Sequence, residues 1–333
     1  TGYEVYSRMP VGSDLTAFIE KDIPGYDCAF IHGLEKYHTQ LDSPENLSLS
    51  SLQHHGEYAF TLARHLANQP LADSKNVQNN LVYFDFPIVR MVYYSENLAT
   101  GFMALTVALY AVVLGVGMRR NQVRITAYLA AASGYLLVLF LTCLAGAAVM
   151  AIGYQARGVY ILYSSDELTL GVLLIVAGTS IYFLNRLATR LGIYNVLFGF
   201  LLPWVVIGAL SPFLMPGASY IFTWPLLFTI IPTGLSFLKR DISKPLGLGS
   251  TILLGTATFP TILFTIGMLQ CFYAALMFIF VSLHIAVLLF AFAMLMPQIY
   301  LLTAAIPKRT AATLILLGML SIFAGIFWPG FSP

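Results

Sequence analysis

Charge is what this chain has least of. Only 10% of its 333 residues are Asp, Glu, Lys or Arg, against roughly a quarter in an ordinary soluble domain. The net charge of +2 comes from scattered Lys and Arg, with no basic stripe to follow a phosphate backbone, so a nucleic-acid partner is set aside. Acid is scarcest late in the chain, where Asp166, Glu167 and Asp241 alone follow Thr100. Three cysteines, Cys28, Cys143 and Cys271, are too few for a disulfide framework, and the last two sit in apolar runs. The sequence opens at Thr1 with no initiator Met, basic n-region or cleavable signal, and the expectation is that upstream sequence is missing.

What fills the chain instead is apolar, 58% of the residues. A spanning helix needs about 20 predominantly apolar residues. After Leu98 the sequence divides into eight runs of that size, near 101–118, 125–153, 168–185, 193–210, 219–238, 246–268, 272–302 and 310–328. The second and seventh are long, and Pro297 is a candidate break in the seventh. The domain reading is therefore a polar segment at 1–68, a linker and interfacial stretch at 69–100, and a transmembrane domain at 101–333. Tyr83, Phe84, Phe86, Tyr93 and Tyr94 in the interfacial stretch suit an aromatic belt.

Basic residues are retained on the cytoplasmic side of short loops. One set of alternate loops carries Arg119, Arg120 and Arg124, then Arg186 and Arg190, then Lys239, Arg240 and Lys244, then Lys308 and Arg309. The opposite set carries Arg157 with Asp166 and Glu167. The polar N-terminal segment and the C-terminal Pro333 are thus expected on the non-cytoplasmic face. Ionisable groups inside spans mark transport paths, and here His284 alone qualifies. A neutral imidazole bonded to a neighbouring helix is the favoured reading for it, which disfavours a secondary transporter.

The polar segment has a readable order. Ser13 or Asp14 can cap a short helix to about Lys21, Pro24-Gly25 turns the chain, and Cys28-Ala29-Phe30-Ile31 suits a short buried strand. A polar loop follows from Glu35 to Asn46. Ser50 with Gln53 has the form of a capping box, opening a helix to about Asn68 with Leu52, Ala59, Leu62, Ala63 and Leu66 on one face. His54, His55, His32 and His65 are read as solvated positions, because no i, i+4 His pair exists among them. Asn46-Leu47-Ser48 is a glycosylation sequon usable only in a eukaryotic host.

SDLTAF, PGYDCAFI and YHTQLDSPENL, in that order before a long helix, resemble the C-terminal end of the di-zinc aminopeptidase and glutamate-carboxypeptidase-like exopeptidases, over about residues 3–68. PGASYIFTWPLLF at 216–228 resembles a segment of the family's multi-spanning members, the vacuolar membrane proteases, endoplasmic-reticulum metallopeptidases and bacterial relatives. The fold class implied is mostly α, a polytopic bundle of about eight transmembrane helices preceded by a truncated α/β zinc-exopeptidase segment. The resemblance also implies a membrane-anchored zinc-dependent exopeptidase, an aminopeptidase by preference, acting on a peptide substrate at the non-cytoplasmic face. A bacterial inner membrane with a periplasmic domain is favoured over a eukaryotic endomembrane.

By position in the motif, His38 corresponds to the last zinc ligand and Tyr37 to the tyrosine that donates to the tetrahedral oxyanion. Asp14 and Asp42 are candidates to orient the ligand, with helix capping and loop closure as equal alternatives. The family's remaining ligands come from a His-x-Asp pair, a Glu-Glu pair and a further acid, and this sequence contains neither pair. Two Zn are expected in the intact protein and none retained by this chain, which is expected to be inactive by itself. The competing reading is a non-enzymatic membrane module that binds a lipid, peptide or protein partner. The lipid bilayer is a partner on either reading, and nothing in the sequence sets an oligomeric state.

Overall fold

The computed structural model describes residues 12–23, 25–29, 36, 39–68, 80–86, 90–158, 166–239, 248–275, 280–303 and 308–327. The chain divides into two compact units, Thr1–Leu81 and Val82–Pro333.

In the first unit, helix α1 (Asp14–Ile19) starts where Ser13 N–H donates to Thr16 Oγ1 at 3.0 Å and Thr16 N–H donates back to the Ser13 carbonyl at 2.9 Å. Helix α2 (Leu49–Ala67) begins earlier than the Ser50 capping box predicts. Ser48 is the cap, its hydroxyl accepting from Ser51 N–H at 3.3 Å, while Gln53 reaches forward to Glu57 at 3.2 Å. The expected strand at 28–31 is not formed over its described part. Cys28 and Ala29 are exposed and irregular, and Phe30 and Ile31 lie outside the described residues. A strand needs a partner to take up its N–H and C=O groups, and among the described residues the sole pairing lies elsewhere. None of the residues of α2 is fully buried, and on its apolar face Leu62 and Leu66 are half-buried.

The second unit opens with a hairpin, β1 (Leu81–Phe86) and β2 (Arg90–Ser95). Eight helices follow among the described residues: α3 (Glu96–Arg119), α4 (Ile125–Arg157), α5 (Asp166–Leu191), α6 (Ile193–Leu214), α7 (Tyr220–Lys239), α8 (Leu248–Ala275), α9 (Val281–Thr303) and α10 (Lys308–Phe327). The first four are each long and apolar enough to cross a membrane, and the others contain apolar stretches of 10–17 described residues. This is a mostly α membrane bundle. At 1.5 Å per residue the 33 residues of α4 extend about 50 Å, well beyond the roughly 30 Å hydrocarbon core. Helix α3 starts at Glu96, five residues before the apolar run, because Ser95 caps it by accepting from Leu98 N–H at 3.3 Å. Helix α9 starts at Val281, whereas hydropathy places the seventh span from 272; α8 continues to Ala275. It also runs unbroken past Pro297 to Thr303, so the candidate break there is not made.

Lipid tails are as apolar as Leu, so hydrophobicity cannot by itself press these helices together; close backbone approach and interhelical hydrogen bonds do. Between α5 and α10 the approach is backbone to backbone. A Cβ on Gly171 would lie 2.8 Å from the Gly318 carbonyl, one on Gly318 would lie 2.7 Å from the Gly171 carbonyl, and one on Gly178 would lie 2.7 Å from that of Ala311. Gly199 does the same for α6 on α4, where a Cβ would stand 2.9 Å from Ala132 N and the Tyr128 carbonyl. Hydrogen bonds tie the rest. Buried Tyr135 of α4 donates to the Leu289 carbonyl of α9 at 2.8 Å and accepts from Trp204 Nε1 of α6 at 2.7 Å. Ser282 donates to the Cys143 carbonyl at 2.9 Å and Cys143 Sγ returns the bond to the Ser282 carbonyl at 3.4 Å. Among the described residues the bond shown for His284 is not to a neighbouring helix: its Nδ1 lies 3.1 Å from the Phe280 carbonyl, one turn back along its own chain.

The hairpin belongs to this bundle. Its period-two pattern buries Val82, Phe84 and Tyr94 and leaves Tyr83 and Tyr93 49% and 64% exposed. Phe84 stacks on Tyr220 at 4.3 Å between ring centroids and meets Phe264 edge-on at 5.7 Å. Tyr94 packs edge-on against Phe102 and accepts from Trp224 Nε1 at 3.2 Å. The five aromatics expected to share an interfacial belt are therefore split between a packed inner face and an exposed outer one.

Candidate functional site

The loop that carries the motif is built from short-range hydrogen bonds. Lys36 and Thr39 flank the Tyr37-His38 pair and are bonded twice: the Lys36 carbonyl accepts from Thr39 N–H at 3.2 Å and from Thr39 Oγ1–H at 2.8 Å. Thr39 Oγ1 also accepts from Leu41 N–H at 3.1 Å, and the Thr39 carbonyl accepts from Asp42 N–H at 3.1 Å. A 3-10 turn over Pro44–Asn46 follows, with proline at its first position where no N–H is required. Lys36 Nζ then closes the loop by donating to the Asn46 carbonyl at 3.1 Å. The two flanks of the motif are thus tied both to each other and to the start of α2.

Tyr37 and His38 themselves lie outside the described residues. Asp14 is the exposed first residue of α1, where a carboxylate faces the helix N-terminus. Asp42 is exposed in the loop, and its backbone supports the loop-closing alternative. The hydrogen bonds described for the two aspartates do not bring them together. Glu45 lies exposed in the 3-10 turn, where its own backbone N–H and then the Ser43 hydroxyl hold its carboxyl below the usual carboxylate range.

Among the described residues no group of three or more His, Cys, Asp or Glu side chains is placed to hold a metal ion. A zinc pair requires several preformed, deprotonated ligands. Asp14, Asp42 and Glu45 are all exposed. His54 contacts the Tyr58 ring at 4.4 Å, as expected for i, i+4 neighbours on a solvated helix face.

Residues 2–63 match Peptidase family M28. The chain is 30% identical over 118 residues to endoplasmic reticulum metallopeptidase 1 of Homo sapiens, covering 34% of this chain and 12% of that protein. A putative endoplasmic reticulum metallopeptidase 1-B of Caenorhabditis elegans is 28% identical over 103 residues, covering 29% and 12%. Endoplasmic reticulum metallopeptidase 1 of Mus musculus is 28% identical over 131 residues, covering 38% and 15%. The aligned part of the chain spans about an eighth of the length of these relatives. No solved structure matches. The family reached from motif order over 3–68 is the one matched over 2–63.

Proposed function

We propose that this chain is part of a membrane-anchored zinc-dependent exopeptidase, an aminopeptidase, that trims peptides on the non-cytoplasmic side of its membrane. One observation carries the reading: a segment matching Peptidase family M28 runs directly into an apolar helical bundle in one polypeptide. In this role His38 is one metal ligand and Tyr37 a hydroxyl donor to the developing oxyanion. Asp14 and Asp42 orient the ligand. The domain division is 1–68 for the peptidase segment, 69–100 for the connection and 101–333 for the transmembrane part. With one ligand position of the several a zinc pair needs, the chain alone is inactive. A two-zinc centre, where assembled, supplies an activated water and a clamp for the oxyanion.

The test uses full-length protein, with zinc content and hydrolysis of aminopeptide substrates as readouts. His38→Ala is expected to lower both, and Tyr37→Phe to lower turnover by a factor on the order of 100 with zinc retained. Unchanged hydrolysis in His38→Ala, or an intact protein that binds no zinc, overturns the proposal. The second reading is a non-enzymatic membrane module that binds a lipid, peptide or protein partner. A coding sequence with no upstream His-x-Asp and Glu-Glu would select it.

A further inference from the structure

Asn195, buried at the start of α6, joins two loops at one end of the bundle. Its Oδ1 accepts from Arg124 N–H at 2.8 Å and its Nδ2 donates to the Leu191 carbonyl at 2.7 Å. Arg124 and Arg190, the latter adjacent to Leu191, are thereby held on either side of one side chain, and both are exposed. Arg119 and Arg186 are exposed at the ends of the same helices, α3 and α5. Gly192, at φ 84°, makes the tight turn between α5 and α6 that keeps Arg190 close to Asn195. Helix α10 runs antiparallel to α5, since Gly171 faces Gly318 while Gly178 faces Ala311; its first residues, Lys308 and Arg309, therefore arrive at the same end.

Among the described residues of the second unit, the acids Asp85, Glu96, Asp166 and Glu167 lie in the hairpin and at the starts of α3 and α5, not at this end. Asp166 and Glu167 begin α5 and Arg190 lies one residue before its end, so a helical rise of about 36 Å separates the two signs. A group of exposed arginines at the end of a bundle of apolar helices has a phosphodiester as its natural counter-charge, because guanidinium pairs with phosphate oxygens in a two-pronged geometry.

We propose that this end of the bundle is a binding surface for the headgroups of anionic phospholipids, centred on Arg124 and Arg190 either side of Asn195. The surface is independent of the peptidase reading. It is built by packing: Asn195 bonds the backbone at Arg124 and at Leu191, the neighbour of Arg190, and so joins the two segments that carry these arginines.

The experiment uses the purified 333-residue chain in neutral detergent, with phosphatidylglycerol, phosphatidylcholine or inorganic phosphate added. Thermal unfolding and native mass spectrometry of an equimolar lipid mixture are the readouts. Phosphatidylglycerol is expected to raise the unfolding temperature and to be retained over phosphatidylcholine. Arg124→Gln and Arg190→Gln should each reduce that preference roughly five-fold, with unfolding in phosphatidylcholine unchanged. Equal retention of the two lipids by the unmodified chain overturns the proposal without recourse to any variant. So does full phosphatidylglycerol preference in the double variant. Stabilisation by inorganic phosphate equal to that by phosphatidylglycerol overturns the lipid assignment in favour of a free anion.

Discussion

The indole N–H of Trp204 donates to the buried hydroxyl of Tyr135 at 2.7 Å, and that hydroxyl in turn donates to the Leu289 carbonyl at 2.8 Å. One oxygen therefore joins α4, α6 and α9. Tyr135→Phe leaves the Trp204 N–H without its acceptor, and an average interhelical hydrogen bond in a membrane contributes about 0.6 kcal/mol. Unsatisfied burial raises the cost toward about 1–3 kcal/mol. Chemical unfolding in detergent should show a loss in that span. Trp204→Phe should cost less in the Tyr135→Phe background than in the unmodified chain; strict additivity would refute the coupling.

Glycine packing gives two opposite outcomes. Gly318→Ala puts a methyl group 2.7 Å from the Gly171 carbonyl, too close for backbone to yield, and should destabilise by about 1–3 kcal/mol. Gly267→Ala in α8 meets nothing within 4 Å and should leave stability at or slightly above that of the unmodified chain. Thermal unfolding of the pair is the check, and a loss of the same size in both would mean the α5–α10 approach is not this close.

Tyr94 predicts an alkaline signature. Burial pushes its hydroxyl up to about 12, against the opposing influence of the Trp224 N–H, from an ordinary value of 10.0. The folded state holds the proton more tightly than the unfolded one. Its contribution to stability is complete below pH 10, declines between pH 10 and 12, and is lost as the pH passes the folded value. The tyrosinate absorbance difference between the unmodified chain and Tyr94→Phe should rise near pH 12, and a step near pH 10 would contradict the burial.

The cap of α2 separates two adjacent serines. Ser48→Ala removes the acceptor of the Ser51 N–H and should cost the first turn about 0.5–2 kcal/mol. Hydrogen exchange at Ser51 and Leu52 would report it as faster protection loss. Ser50→Ala should leave those amides close to their original rates.

Zinc offers a final check. The 333-residue chain without further sequence should show no tight binding in a titration, and a chelator should leave its unfolding temperature unchanged. Stoichiometric binding of two zinc ions by this chain would overturn the expected inactivity.

Much of the bundle was legible because a spanning helix must be apolar along some 20 residues, whatever it packs on. The eight runs read by hydropathy and the eight helices correspond one to one. Their ends were less legible. The start of α3 depends on a serine cap beyond the apolar run, and the division of α8 from α9 falls within continuous apolar sequence, where hydropathy has no contrast. In the polar unit, the long helix was readable from its apolar spacing, but the capping-box pattern pointed to Ser50, whereas the backbone geometry makes Ser48 the cap. At the candidate site, motif order pointed to Tyr37 and His38, while Lys36 bonding to Asn46, ten residues on, has no sequence signature.

The sequence by itself determined the eight apolar runs, which loops carry positive charge, and that about residues 3–68 follow a peptidase pattern. Each of these is a local property, a sum or an order over neighbouring residues. The tertiary structure decided that Tyr135 meets Trp204 and Leu289, 69 and 154 residues away, and that Asn195 draws Arg124 toward Arg190. A hydrogen bond is a pairwise condition on distance and angle, and chain separation carries no information about it until the helices have packed.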